Sequence, residues 1–304
     1  MSFTSTVKDE LSKLKENETT RISLLSGIIQ STALISDKIV ISTENNSVAR
    51  KIFTLFKDIY NINPKIIVRK GYNYSHKMQY ILEVKNNVNL ILKDLGIAKE
   101  IPENFILADD ELIRAYLRGV FLMSGSINDP KTSRYHLEFN LNNEKYAYFI
   151  CELLNNYKLN SKVLHRDNNY MVYIKEAEKI GDFLRMINAF NAVLYYEDIR
   201  IYRDHKNMTN RLNNCEQANV DKIIETSNNQ IKDIKLIKEK DVYDLLDDKE
   251  KTVCEYRIKY PDASLLELSE IISLETGNKI SKSGLYHRFN KIKKIAQKLK
   301  EKKF

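Results

Sequence analysis

Two stretches of this 304-residue chain share one cadence: RISLLSGIIQSTALIS, residues 21–36, and RAYLRGVFLMSGSIND, residues 114–129. Each is an apolar run broken by a glycine, and LSGIIQSTA lies over LRGVFLMSG at an offset of 92. Farther on, ENNSVARKIFTLFKDIYNINPKIIVRK lies over LNNEKYAYFICELLNNYKLNSKVLHRD at an offset of 97. Six positions are identical: Asn45/Asn142, Asn46/Asn143, Tyr60/Tyr157, Asn63/Asn160, Lys65/Lys162 and Arg69/Arg166. Apolar positions match as well, among them Ile52/Phe149, Phe53/Ile150, Ile62/Leu159 and Ile66/Val163. The change of offset falls in SINDPKTSR, a loop-like segment around Pro130. A duplication in the same order requires two like units, related by a pseudo-two-fold axis.

Periodicity orders the elements of each unit as helix, strand, strand, helix, strand, strand. In residues 46–60, Val48, Ile52, Leu55, Phe56 and Ile59 recur at helical spacing. KIIVRK and YILEVK are β-branched with a polar rhythm, as strands are. The first strand pair, residues 33–43, is short and divided near Ser36-Asp37. The second copy repeats this with YHLEFNL, a helix over residues 143–157, SKVLHR and YMVYIK. The expectation is an α+β protein whose N-terminal domain fills residues 1–200, with repeats at about 21–95 and 110–190.

A glycine-bearing helix duplicated around an α-β-β-α-β-β unit resembles the LAGLIDADG homing-endonuclease family. The resemblance implies that the two motif helices pack together at the pseudo-two-fold, with Gly27 and Gly119 allowing close backbone approach because they lack Cβ. It implies a saddle of strands over DNA, on or near which Lys65, Arg69, Lys85, Lys162, Arg166 and Lys175 would lie. It also places metal-binding acids at the eighth motif positions, which here are Thr32 and Ser124; the sixth are Gln30 and Leu122. Hydroxyls are poor ligands for a hard cation that must sit beside scissile phosphates. Asp37 and Asp129 come several residues too late to reach the same point. The fold is therefore expected without catalysis, and without metal or other cofactor. Met123 at the seventh position is bulkier than the small residue usual there.

Residues 201–240 read as a polar helical connector with sparse apolar residues (Leu212, Ala218, Ile223, Ile231, Ile234, Ile237). Its many Asn and Arg are of a kind that touches nucleic acid, but most read as solvated surface. Residues 241–304 read as a helix-turn-helix domain. Pro261 ends one helix; Ser264 and Glu267 form a capping box that opens SLLELSEII, burying Leu265, Leu268, Ile271 and Ile272. Gly277 supplies a turn, and Ser281 is the N-cap of KSGLYHRFNKIKKIAQKL. A basic helix after such a turn is built to enter the major groove. Leu285, Phe289 and Ile292 take the core face; Ser283, His287, Asn290 and Lys294 point the other way, with Tyr286 and Lys291 at the edges. Lys282, Arg288 and Lys293 are placed for phosphates. From Lys279 onward there are ten Lys or Arg against one acid, Glu301, so this tail carries +9 of a net charge of +8 and the remaining 278 residues sum to −1.

Taken together, LRGVFLMSGSINDP, NRLNNCEQAN, LSEII and SKSGLYHRFNKI resemble the WhiA family over nearly the whole chain. That resemblance implies a sequence-specific transcription regulator acting in sporulation or cell division, with double-stranded promoter DNA as its partner. An active or residual homing endonuclease is the alternative. RNA binding, or a protein partner held by the repeat domain, is a third reading. Three isolated cysteines and five scattered histidines give no zinc signature. No apolar run reaches the roughly 18 residues of a membrane span, and the charged amphipathic N-terminus lacks a signal-peptide core. A cytoplasmic, nucleoid-associated location is expected.

Overall fold

The computed structural model describes residues 2–70, 78–97, 99–132, 134–167 and 169–301. The chain divides into two compact units, Met1–Asp204 and His205–Phe304. In the first unit α1 (Phe3–Ser12) leads into α2 (Glu18–Thr32), β1 (Leu34–Ile35), β2 (Ile39–Thr43), α3 (Asn46–Tyr60), β3 (Lys65–Lys70), β4 (Met78–Val84) and α4 (Val88–Asp94). A short 3₁₀ turn at Asn104–Leu107 joins this copy to the next. The second copy runs α5 (Asp110–Ser124), β5 (Gly125–Ile127), β6 (Leu137–Leu141), α6 (Glu144–Asn156), β7 (Lys162–Arg166), β8 (Asn169–Ile174) and α7 (Ala177–Met186). The two antiparallel sheets have the same order, β1-β2-β4-β3 and β5-β6-β8-β7.

The motif helices meet at their glycines. A Cβ on Gly27 would stand 2.3 Å from the Tyr116 carbonyl oxygen, and one on Gly119 would stand 2.2 Å from that of Leu24. No methyl group fits at either distance, so two glycines in register let the backbones of α2 and α5 touch. Their flanks, Leu24, Leu25, Ile28, Ile29, Leu117, Val120 and Phe121, are fully buried and knit both repeats into one core. Met123, bulky where a small residue is usual, does not spread the helices, because it is only partly buried at the rim of that core.

Each copy carries one helix more than the repeat reading foresees. Helices α4 and α7 follow the last strand of their copy, and matched positions on the motif helices tie them down. Ser26 donates its hydroxyl to the Leu95 carbonyl at the end of α4 (2.8 Å). Arg118, its counterpart, donates to the Ile187 carbonyl at the end of α7 (3.2 Å). Arg118 also pairs with Glu16 at 2.9 Å, both side chains being about nineteen-twentieths buried. The repeated Asn-Asn pair is used one residue out of step, since Asn45 caps α3 through the Val48 amide and Asn143 caps α6 through that of Tyr146.

Helix α8 runs unbroken from Phe190 to Glu239, a stretch with neither Gly nor Pro. The expected connector is thus neither separate nor confined to residues 201–240. Its beginning lies in the first unit, and its end supplies Ile234 and Ile237 to the core of the second. There α9 (Asp248–Lys259), α10 (Leu265–Thr276) and α11 (Lys282–Glu301) complete the helical domain.

The glycine contact yields the first test. Gly27→Ala or Gly119→Ala forces a methyl against a carbonyl that belongs to a helix backbone and cannot rotate away. Each is expected to destabilise the protein by about 3 kcal/mol, read as a fall in the midpoint of denaturant unfolding. Gly284→Ala, whose Cβ would come no nearer than 3.4 Å to any neighbour, serves as the tolerated control.

Candidate nucleic-acid interface

Helix α11 is positioned by buried neighbours rather than by its own charge. Leu285, Phe289, Ile292 and Ala296 form its buried face and pack with Val253 and Cys254 of α9 and Leu268 and Ile272 of α10. The capping box at Ser264 and Glu267 is present, with both reciprocal bonds made. Leu268 and Ile272 are buried as expected, whereas Leu265 and Ile271 are only half-buried. The turn into α11 uses Gly277 at φ 71°, a left-handed backbone that suits glycine. Ser273 pins that turn, accepting from the Ile280 amide at 3.0 Å and donating to the Ser269 carbonyl at 2.7 Å. Ser281 caps α11 by accepting from the Gly284 amide at 3.1 Å.

Arg257 is a component the sequence reading missed. It is 1% exposed, donates to the Ala263 carbonyl at 2.6 Å, and stacks its guanidinium 5.5 Å from the Phe289 ring centroid. The α9–α10 loop and the reading helix are thereby clamped to one planar cation. A signal existed, since Arg257 falls three and four residues after Cys254 and Val253, on the apolar face of α9.

The opposite face of α11 is open. Lys282, Ser283, Tyr286, His287, Lys293 and Lys294 are exposed, while Arg288 and Asn290 are half-exposed. Lys291 is exposed but engaged. Its ammonium ion-pairs with Glu250 and lies 3.6 Å from Asp247, the two acids of a second capping box at the start of α9. That ties Lys291 to the α9 cap. Lys302 and Lys303 of the basic tail lie outside the described residues.

On the repeat domain, Ile66 pairs with the buried Leu82 and Val163 with the buried Val172, so these residues face the helices. Lys65, Arg69, Lys162 and Arg166 therefore lie on the outward faces of β3 and β7, where all four are exposed. Lys85 and Lys175 are exposed just beyond β4 and β8, the latter 4.7 Å from the Tyr173 ring centroid. These faces are not purely basic. Glu83 stands opposite Lys65 and pairs with Lys38 at 3.0 Å, and Glu138 lies 2.9 Å from His136.

The ends of the motif helices hold no carboxylate. The Ser124 hydroxyl is buried and bonds back to the Val120 carbonyl at 2.9 Å; the Thr32 hydroxyl is buried without a partner. Asp37 is spent on Ser36, and Asp129 accepts from the Lys131 amide and the Tyr195 hydroxyl. Among the described residues, no three His, Cys, Asp or Glu side chains gather where they could hold a metal. A cation sits there instead: Lys8 of α1 reaches to 3.4 Å from the Met123 carbonyl, one residue before Ser124. The donor set does not fit a divalent metal, which an ammonium at that point would repel.

Residues 19–98 match the WhiA N-terminal LAGLIDADG-like domain, residues 113–206 the WhiA LAGLIDADG-like domain, and residues 209–296 the WhiA C-terminal helix-turn-helix domain. The chain belongs to the WhiA family. It is 43% identical to the probable cell division protein WhiA of Bacillus cytotoxicus, over 99% of this chain and 98% of that one. The Ligilactobacillus salivarius relative of the same name is 42% identical, with the same coverage. The crystal structure of full-length DUF199/WhiA from Thermatoga maritima matches with a TM-score of 0.60 at 25% identity, covering 98% of this chain and 99% of that one. The α+β reading with a duplicated LAGLIDADG-like domain and a helix-turn-helix domain is thereby borne out, and the chain is a WhiA-type DNA-binding regulator. No described helix is long and apolar enough to cross a membrane.

Lys8 supplies a pH test. Burial pulls its ammonium down from 10.5 to about 8, outweighing the opposing pull of Glu44. Between those values the unfolded chain binds more protons than the folded one, so stability rises as pH rises through that window. Lys8→Met removes the cost of a buried charge. It is expected to raise the melting temperature at pH 7, with the gain shrinking as pH approaches 10.5. A gain that is constant from pH 7 to 10.5 contradicts this assignment.

Proposed function

We propose that this member of the WhiA family recognises specific promoter sequences through α11, controls genes of cell division or sporulation, and does not cut DNA. The observation that carries the reading is the exposed, unpaired face of Lys282, Ser283, His287 and Lys294 on a helix whose other face is locked in a core. Hydroxyl, imidazole and amide groups at one helical stripe can donate to and accept from base edges, while flanking cations meet phosphates. Thr32 and Ser124 in place of acids, with Lys8 beside the second, support the absence of nuclease chemistry. The relatives, called probable cell division proteins, favour cell division as the process. Action on the nucleoid follows from this reading.

Binding assays on the full chain test it. His287→Ala with Asn290→Ala is expected to weaken binding to the site recovered by chromatin immunoprecipitation more than binding to mixed-sequence duplex. Lys294→Ala should weaken both alike. Engagement of about six phosphates gives a salt slope near −5. Equal losses on every sequence would mean that α11 does not read bases. Incubation with magnesium and plasmid is expected to leave the DNA intact; cutting that Asp37→Ala or Asp129→Ala abolishes would establish the endonuclease instead.

A protein partner for the repeat domain is a second reading, favoured by Glu83 and Glu138 on its outward sheet faces. Replacing Lys65, Arg69, Lys162 and Arg166 together by Ala distinguishes the two uses of that surface. A DNA-tracking saddle loses up to about 4 units of salt slope, whereas a protein-binding one leaves DNA affinity as it was.

A further inference from the structure

Residues 204–222 of α8 are all exposed, and their composition is odd for a bare helix. Five of the thirteen residues 207–219 are Asn, against 30 of 304 in the whole chain. Asn is a weak helix former because its amide competes for backbone bonds. Asn207, Asn210, Asn213 and Asn214 nevertheless remain helical, and none of their side-chain amides forms a hydrogen bond among the described residues. Where a local preference is overridden without any internal return, an outside partner is the usual reason.

Helical geometry gathers these amides. At 100° per residue, Asn207, Asn210 and Asn214 fall within about 60° of one another. Lys206 and Asn213 border this stripe on one side and Arg211 on the other. Met208, Leu212 and Cys215 lie on the far side of the helix. No acid occurs between Asp204 and Glu216; Glu216 projects to the opposite side of the helix, and Asp204 marks the upper limit of the stripe, one turn before Asn207 on the Arg211 side. Its lower limit is Asp221, which accepts from Gln217 at 2.8 Å. Between Asp204 and Asp221, which bound it, the stripe offers amide and cationic donors, the pattern that complements a phosphate backbone. Because Ile234 of the same helix is anchored in the core, Asn214 lies about 30 Å out along the helix, close to one turn of duplex.

We propose that Lys206, Asn207, Asn210, Arg211, Asn213 and Asn214 form a second contact with double-stranded DNA, gripping the sugar-phosphate backbone beside the site that α11 reads. The proposal rests on the reading of this chain as a DNA binder but not on base reading by α11, because backbone contacts are indifferent to sequence. The amides hold register on the duplex, and Lys206 and Arg211 supply charge.

The test uses the full chain on mixed-sequence duplexes of about 40 and about 16 base pairs, roughly four turns and one and a half. Asn207, Asn210 and Asn214 are changed together to Ala, which is a better helix former, so the helix remains folded. The expected result is a loss of about tenfold on the long duplex, with little change on the short one. Lys206→Ala with Arg211→Ala should lower the salt slope on the long duplex by about 2. Wild-type binding by the triple variant on both duplexes overturns the proposal. So does an equal loss on both, and so does a variant helix that serves only a protein contact, seen as Leu212→Lys altering sedimentation while the Asn variant binds DNA normally. Failure of α11 to read bases is recorded separately, by the response of His287→Ala and Asn290→Ala on the mapped site.

Discussion

The first unit is organised around the contact of two helix backbones with nothing between them. Gly27 and Gly119 bring α2 and α5 to carbonyl distance, and every other part of the duplicated domain is hung from that pair. The matched side chains Ser26 and Arg118 point outward from it and each seize the end of a terminal helix. One of these uses a hydroxyl and the other a guanidinium, so the symmetry is of position and not of chemistry. The Arg118–Glu16 pair shows what that divergence required: a buried cation demanded a buried acid from the segment before α2.

In the second unit a single planar cation plays a comparable part. Arg257 bonds the loop that precedes α10 and lies against Phe289 of α11, while Lys291 reaches back to the cap of α9. Basic residues on a DNA-binding domain therefore divide by neighbourhood. Lys282 and Lys294 face solvent without an acidic partner among the described residues, whereas Arg257 is buried in the architecture and Lys291 is paired with the α9 cap. Net charge alone does not make that distinction.

Much of this was legible in the chain. Whereas the meaning of the two glycines came through the family resemblance, the repeated helix-strand-strand order of both copies, the buried face of α11 and the caps at Ser264 and Ser281 follow from periodicity and from short-range bonding. Such signals are local, with the pattern and its cause lying within a few residues of each other. What escaped depends on contacts distant in sequence. Lys8 meets Met123 across 115 residues, and no pattern near either of them announces it. Lys291 looked like an edge of the reading face because its partners, Asp247 and Glu250, come from another helix. The continuity of α8 was legible after all, in the absence of Gly and Pro from residues 190–239. Its sparse apolar residues had drawn attention to the polar surface instead.

Lys8 has one more consequence. In a nuclease of this shape the end of the second motif helix is a place for acid and metal. Here an aspartate restored at position 124 would meet an ammonium already seated one residue away. Its carboxylate would have to take the place of a buried hydroxyl bonded to the Val120 carbonyl, and a metal ion brought there would lie near that ammonium. A change at position 124 alone therefore does not furnish a metal site. The N-terminal helix thus adds a positive charge at a point where the motif helix itself offers a hydroxyl and no acid.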